Sequence, residues 1–156
     1  MNTTINVGVI GCGYWGPNLI RNFTSFNHCR VKSVCDLDSN RLKHIKSLYK
    51  VKTHTNYDAL LNDKDIHAIA IATPVTTHYE IARKCLEANK HTFVEKPMCS
   101  NSDQCKSLIN IAQSKNLILM VGHTFIYSAP VQKIKEIVDD GEIGELLYIS
   151  SQRLNL

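Results

Sequence analysis

The sequence of 156 residues has no apolar run near the ~18 residues that a bilayer span requires; its longest are short stretches such as Ala68–Ala72 and Leu117–Val121. A transmembrane protein is therefore not expected. The first charged side chain is Arg21, and the apolar N-terminal stretch is broken by Gly8, Gly11, Gly13 and Gly16, so the basic n-region and apolar core of a secretory signal are missing. A cytoplasmic location is the expectation. Glycine and proline number only seven and four, with no short repeat, which excludes collagenous and low-complexity chains. None of the six cysteines (Cys12, Cys29, Cys35, Cys85, Cys99, Cys105) forms a C-x-x-C pair, and several stand in apolar periodic segments, so they are read as reduced core thiols. Aromatic residues make up 7%, with one tryptophan, and they do not interleave with the basic residues as a nucleic-acid face would need. The net charge of +4 comes wholly from residues 1–78, with nine Lys/Arg against five Asp/Glu, and is read as a solvated helix face. No histidine pair stands at i, i+4 and no cysteine pair lies near one, so no metal site is expected. G-x-S-x-G and Walker A sequences are absent too, which removes the usual signs of a serine hydrolase and a P-loop nucleotidase.

What is present is an alternation of short apolar runs with helical-period stretches, the pattern of βαβ units around a parallel sheet. Six runs have strand length: Ile5–Ile10, Val31–Cys35, Val51–Thr53, His67–Ala72, Thr92–Val94 and Leu117–Val121. Most are apolar on both parities, as strands covered on both faces are. Helix faces follow from Leu42, Ile45 and Leu48, from Ile81, Cys85 and Leu86, and from Cys105, Leu108, Ile109 and Ala112. Thr77–Glu80 and Ser100–Asp103 have the capping-box form, Ser128-Ala-Pro130 reads as a cap with proline in the first turn, and Asn89 suits a left-handed helix end. The expected fold is a doubly wound α/β Rossmann domain with a six-stranded parallel sheet over residues 1–125. Residues 126–156 then supply a linking helix with Val131, Ile134, Ile137 and Val138, and a trailing strand Leu146–Ile149 that opens a second α/β domain otherwise missing from the sequence.

Chemistry concentrates at two places. Gly11-Cys12-Gly13-Tyr14-Trp15-Gly16 directly follows the first strand and directly precedes Leu19, Ile20 and Phe23. Gly11 permits a tight turn, Gly13 lets main chain approach a pyrophosphate, and Gly16 lets the helix pack on the strand, with the anion at the helix N-terminus. Asp36, twenty residues beyond Gly16, can accept from adenosine ribose hydroxyls and repel a 2′-phosphate, which favours NAD over NADP. Asp36 and Asp38 could instead cap the next helix, and Arg41 keeps NADP open. The second place gathers Thr73-Pro74, His78, Glu95-Lys96-Pro97 and Gly122-His123 at the carboxyl ends of the fourth to sixth strands, where open α/β sheets bind ligands. Lys96 there can steady negative charge on an oxygen during hydride transfer. His78 is read as structural or cofactor-facing, while His123 either faces the reacting carbon or holds a backbone turn.

Val7–Gly16, Ala72-Thr-Pro74 with His78, and Phe93-Val-Glu-Lys-Pro97 together resemble the nicotinamide-dependent Gfo/Idh/MocA oxidoreductases nearly end to end. Gly122–Tyr127, Gly141–Gly144 and Ser150–Asn155 are similar to the branch that oxidises or reduces C3 of nucleotide-linked sugars such as UDP-N-acetylglucosamine or its uronate. The resemblance implies a catalytic Lys96 and nucleotide contacts at Gly11, Gly13, Tyr14, Trp15, Asp36, Thr73, Pro74, His78 and Glu95. It also implies a sugar or UDP-sugar substrate and a homo-oligomer in the full-length form. Its catalytic histidine belongs to a later Asp-x-x-x-His helix that this sequence does not reach, so the chain alone is expected to be inactive. The alternative is a non-catalytic NAD-binding module or truncated gene product that acts as a partner or sensor.

Overall fold

The computed structural model describes residues 4–152 and residue 154. Their elements run β1 (Ile5–Ile10), α1 (Gly16–Ser25), β2 (Cys29–Cys35), α2 (Ser39–Leu48), β3 (Lys52–His54), α3 (Asp58–Leu61), β4 (Ala68–Ile71), α4 (Val75–Glu87), β5 (His91–Val94), α5 (Ser102–Ser114), β6 (Leu119–Val121), a 3-10 turn (Thr124–Tyr127) and α6 (Ala129–Asp139). They fall into two compact units, one through Gly122 and one from His123.

In the first unit all six strands are parallel, in the order β3-β2-β1-β4-β5-β6. Strand order reverses between β1 and β4, so the turns that leave those two strands diverge and open a crevice at their carboxyl ends. Alternation along β1 explains why both faces are apolar. Val7 and Val9 pack with Ile20 of α1 and with Leu42 and Ile45 of α2. Ile10 belongs to the opposite layer, with Leu60, Ile81, Leu86 and Leu108 from α3, α4 and α5. Cys12, Cys35, Cys85 and Cys99 are buried, and Cys29 and Cys105 are partly so, all as free thiols.

Two helix starts differ from the expectation. Thr77 is not the cap of α4: the helix begins at Val75 behind Pro74, and the Thr77 hydroxyl donates within the turn, 2.7 Å from the Pro74 carbonyl. A proline cap without a side-chain acceptor is tolerated because the missing N–H is one the first turn could not use. The α5 box is shifted by one residue. Asn101 accepts from the Gln104 N–H at 3.0 Å, and Gln104 reaches back to the Ser100 N–H at 3.3 Å, so the reciprocal pair is Asn101/Gln104 and not Ser100/Asp103. Asn89 does take the left-handed conformation, at φ 58°.

In the second unit Ser128 stands at the N-cap position of α6 with Pro130 in the first turn, but its side chain makes no bond to the helix; its hydroxyl donates to the Phe125 carbonyl at 2.9 Å instead. The expected trailing strand is not formed: residues 146–150 carry no regular structure. A strand is held by ladder bonds to a neighbour, and a short apolar run such as Leu146–Ile149 cannot supply one. Leu147 is 84% exposed and Tyr148 83%. In the Ser150–Asn155 stretch, Arg153 and Asn155 lie outside the described residues.

Candidate functional site

The crevice at the switch point is a cavity of about 830 Å³. That is ample for a dinucleotide-sized ligand on the usual scale of small-molecule pockets. Gly11, Gly13, Tyr14, Trp15, Asp36, Thr73, Pro74, His78, Glu95 and Lys96 all line it, so residues 85 positions apart in sequence meet at one place. Gly16 stands at the first position of α1 behind the turn, and His123 belongs to the second unit, where its carbonyl accepts from the Ile126 N–H at 3.2 Å.

The glycine-rich turn needs its glycines for measurable reasons. Gly11 has φ +95°, and a Cβ there would come within 2.6 Å of the Ala72 oxygen. At Gly16 a Cβ would collide with the Gly11 carbonyl. Gly13 meets only the Arg41 guanidinium at 3.6 Å, which leaves its backbone open to a ligand beside the N-terminus of α1. The geometry fits a dinucleotide pyrophosphate.

Asp36 follows β2 and is 8% exposed. Its Oδ2 accepts from the Cys12 N–H at 2.6 Å and its Oδ1 from the Asp38 N–H at 2.8 Å. The carboxylate therefore braces the glycine-rich turn instead of capping α2. Asp38 is the cap, accepting from Asn40 and Arg41 N–H groups. Arg41 stands over both acids, 3.7 Å from Asp36 and 3.6 Å from Asp38. Beside them the Cys12 thiol is pushed up to about 12, first by burial and then by the Asp36 and Cys35 charges. The neighbouring Cys35 rises to about 11 chiefly by burial. Both remain neutral thiols near pH 7.

On the far wall Lys96 is exposed at the end of β5, and the Lys96–Pro97 peptide is cis. Glu95 beside it is buried, its Oε2 accepting from the Lys96 N–H at 3.3 Å. Gly122 leaves the space this carboxylate takes, since a Cβ would lie 3.0 Å from Oε2. His78 is 1% exposed, with Nδ1 2.8 Å from the Pro97 carbonyl and Nε2 2.8 Å from that of Thr73. Leu37, between the two aspartates, was not foreseen from sequence. It lines the cavity yet is 91% exposed, an apolar side chain held in solvent at the rim. Its apolar character in an otherwise acidic turn was the one available signal. Among the described residues no cluster could hold a metal ion, and no helix is long and apolar enough to cross a membrane.

Sheet order, glycine-rich turn and acid after β2 define a dinucleotide-binding Rossmann domain. Residues 5–123 match the model of the oxidoreductase family with an NAD-binding Rossmann fold, and the chain belongs to this Gfo/Idh/MocA family of NAD-binding oxidoreductases. It is 32% identical over 155 residues to the uncharacterized oxidoreductase YrbE of Bacillus subtilis, covering 97% of this chain and 46% of that protein. Over 157 residues it is 29% identical to inositol 2-dehydrogenase of Salmonella typhimurium, with the same coverage of 97% and 46%. Among solved structures it is similar to KijD10, a 3-ketoreductase from Actinomadura kijaniata in complex with NADP and TDP-benzene, with TM-score 0.83, 26% identity, and 92% of this chain and 44% of that one covered. The chain spans about half the length of the curated relatives it matches, 46% of each of these two.

Proposed function

We propose that this chain is the cofactor half of an NAD(H)-dependent oxidoreductase that acts on a sugar at C3, the sugar being linked to a nucleotide such as UDP. In this reading residues 126–156 lead into the substrate-side half of a cytoplasmic homo-oligomer. The observation that carries it is the convergence of Lys96, Asp36 and the glycine-rich turn on one cavity. The kinship with a 3-ketoreductase and with inositol dehydrogenases supports a polyhydroxylated ring as substrate.

The cofactor, when bound, supplies a nicotinamide carbon that gives or takes hydride. The chain's own residues do the rest. The turn at Gly11–Gly16 and the N-terminus of α1 hold the pyrophosphate, and Asp36 keeps lone pairs for a ribose diol beyond the two N–H bonds it already accepts. Its charge opposes a 2′-phosphate. Lys96 presents an ammonium to the substrate oxygen at the reacting carbon and stabilises the negative charge that grows there. In the intact protein, Lys96→Met should lower kcat with a UDP-sugar by about 10² to 10³, the usual cost of losing one such donor, while NADH affinity changes little. An unchanged kcat contradicts the assignment. The rival reading, a non-catalytic NAD-binding module, shares the cofactor result and predicts no turnover to lose.

A further inference from the structure

We propose that His78 is a positioning residue for Lys96. Its ring is wedged between the chain segments that leave β4 and β5, and so fixes where the lysine stands in the cleft. The ring is buried, with Nδ1 2.8 Å from the Pro97 carbonyl and Nε2 2.8 Å from the Thr73 carbonyl. Both partners are acceptors and a neutral ring has one N–H, so the brace requires that Nδ1 carry the proton and donate to the Pro97 carbonyl while the Nε2 edge abuts that of Thr73. Pro97 directly follows Lys96 and has no N–H of its own, so its carbonyl is the one main-chain polar group at that residue by which the turn can be held.

The ring's own position is not free. It rides on the first turns of α4, whose Ile81, Ala82, Cys85 and Leu86 are buried in the core. Thr77 adds a second tie on the same helix, its hydroxyl 2.8 Å from that of Thr73. The Thr73 segment also bears on β1, because the Gly11 turn packs against Ala72 so closely that a Cβ would meet the Ala72 oxygen at 2.6 Å. One buried ring thus links the ends of β1, β4 and β5, and couples the dinucleotide turn to the lysine on the opposite wall. That Lys96 is the group meeting the reacting oxygen rests on the function proposed above; the brace itself rests on the geometry alone.

Two substitutions separate the ring's edges. An asparagine amide nitrogen falls near the place of Nδ1 and a glutamine amide nitrogen near that of Nε2, so His78→Asn keeps a donor towards Pro97 and His78→Gln keeps one towards Thr73. The readouts are the 15N heteronuclear NOE and amide exchange of Lys96 and Met98 in the chain, together with NADH affinity by fluorescence titration. In His78→Gln the Lys96 and Met98 amides should become mobile and fast-exchanging, with NADH bound about tenfold more weakly, the equivalent of one lost hydrogen bond. In His78→Asn the Lys96 and Met98 amides should stay ordered and slowly exchanging. A structural role alone lowers the melting temperature of both variants without separating the Lys96 signals. Identical Lys96 behaviour in the two variants, or an ordered Lys96 in His78→Gln, overturns the proposal. If His78→Gln does not fold, His78→Asn decides: an ordered Lys96 supports the brace and a mobile one overturns it. Failure of the unsubstituted chain to bind NADH counts against the proposed function, while the mobility comparison still judges the brace.

Discussion

Each oxygen of Asp36 accepts one main-chain N–H, from Cys12 and from Asp38, and a carboxylate has room for about two further bonds. The side chain that would recognise a ribose therefore also holds the turn that would recognise the pyrophosphate. Asp36→Asn keeps the shape and removes the charge, leaving Arg41 with one acid neighbour, Asp38. It should narrow the preference for NADH over NADPH by about tenfold, as a phosphate gains and a diol loses a charge-assisted bond; paired fluorescence titrations with the two cofactors check this. Gly11→Ala tests the turn from the other side. With φ at +95° and the Ala72 oxygen 2.6 Å from the new Cβ, it should cost roughly 2 to 4 kcal/mol by urea unfolding and remove cofactor binding. Spacing alone made both residues legible, because the glycine pattern and the acid beyond it carry fixed roles in this turn. What spacing could not show was the bond between Asp36 and Cys12, since a sequence states which acid is near and not which N–H it takes.

At the scale of elements, all six strands and the long helices were visible as changes of apolar period, because burial on both faces leaves few polar residues to blur the signal. β3 and β6, at three residues the shortest, were read with shifted bounds as Val51–Thr53 and Leu117–Val121, and the four-residue α3 was not read, because so short a helix shows no apolar period. Helix starts were less legible. Ser100 and Asn101 are both good caps, and the helix uses Asn101; a hydrophobic pattern does not distinguish neighbours one residue apart. The consequence is measurable: Asn101→Ala should cost about 1 kcal/mol in denaturant unfolding and Ser100→Ala a few tenths. The apolar residues of 146–149 misled for a related reason. A short apolar run forms a strand only where a partner strand stands beside it, and Leu147 and Tyr148 remain mostly in solvent. His78 was legible as a residue of the site, but its contact with the Pro97 carbonyl joins residues 19 apart in sequence.

For the whole molecule, buried thiols make stability fall at high pH. Cys85, fully buried, is raised from an ordinary 9.0 to about 12, and burial is the chief cause. Its proton is kept in the folded chain and lost in the unfolded one between those limits, so its contribution is complete below pH 9 and declines as pH rises through that window. The unfolding free energy from urea titration should therefore drop between pH 9 and 10.5 at up to about 1.4 kcal/mol per pH unit for this thiol, and Cys85→Ala should flatten that slope. The two layers of core that bury these thiols also fix the switch point, which is why one cavity receives residues from β1, β2, β4 and β5. Everything proposed about chemistry depends on that cavity taking a dinucleotide in the expected orientation. Calorimetric titration of the chain with NADH, beside Asp36→Ala, tests this most directly. A single site whose affinity falls about tenfold or more in Asp36→Ala is the result expected from losing charge-assisted ribose bonds, and equal affinity in the two proteins would contradict it.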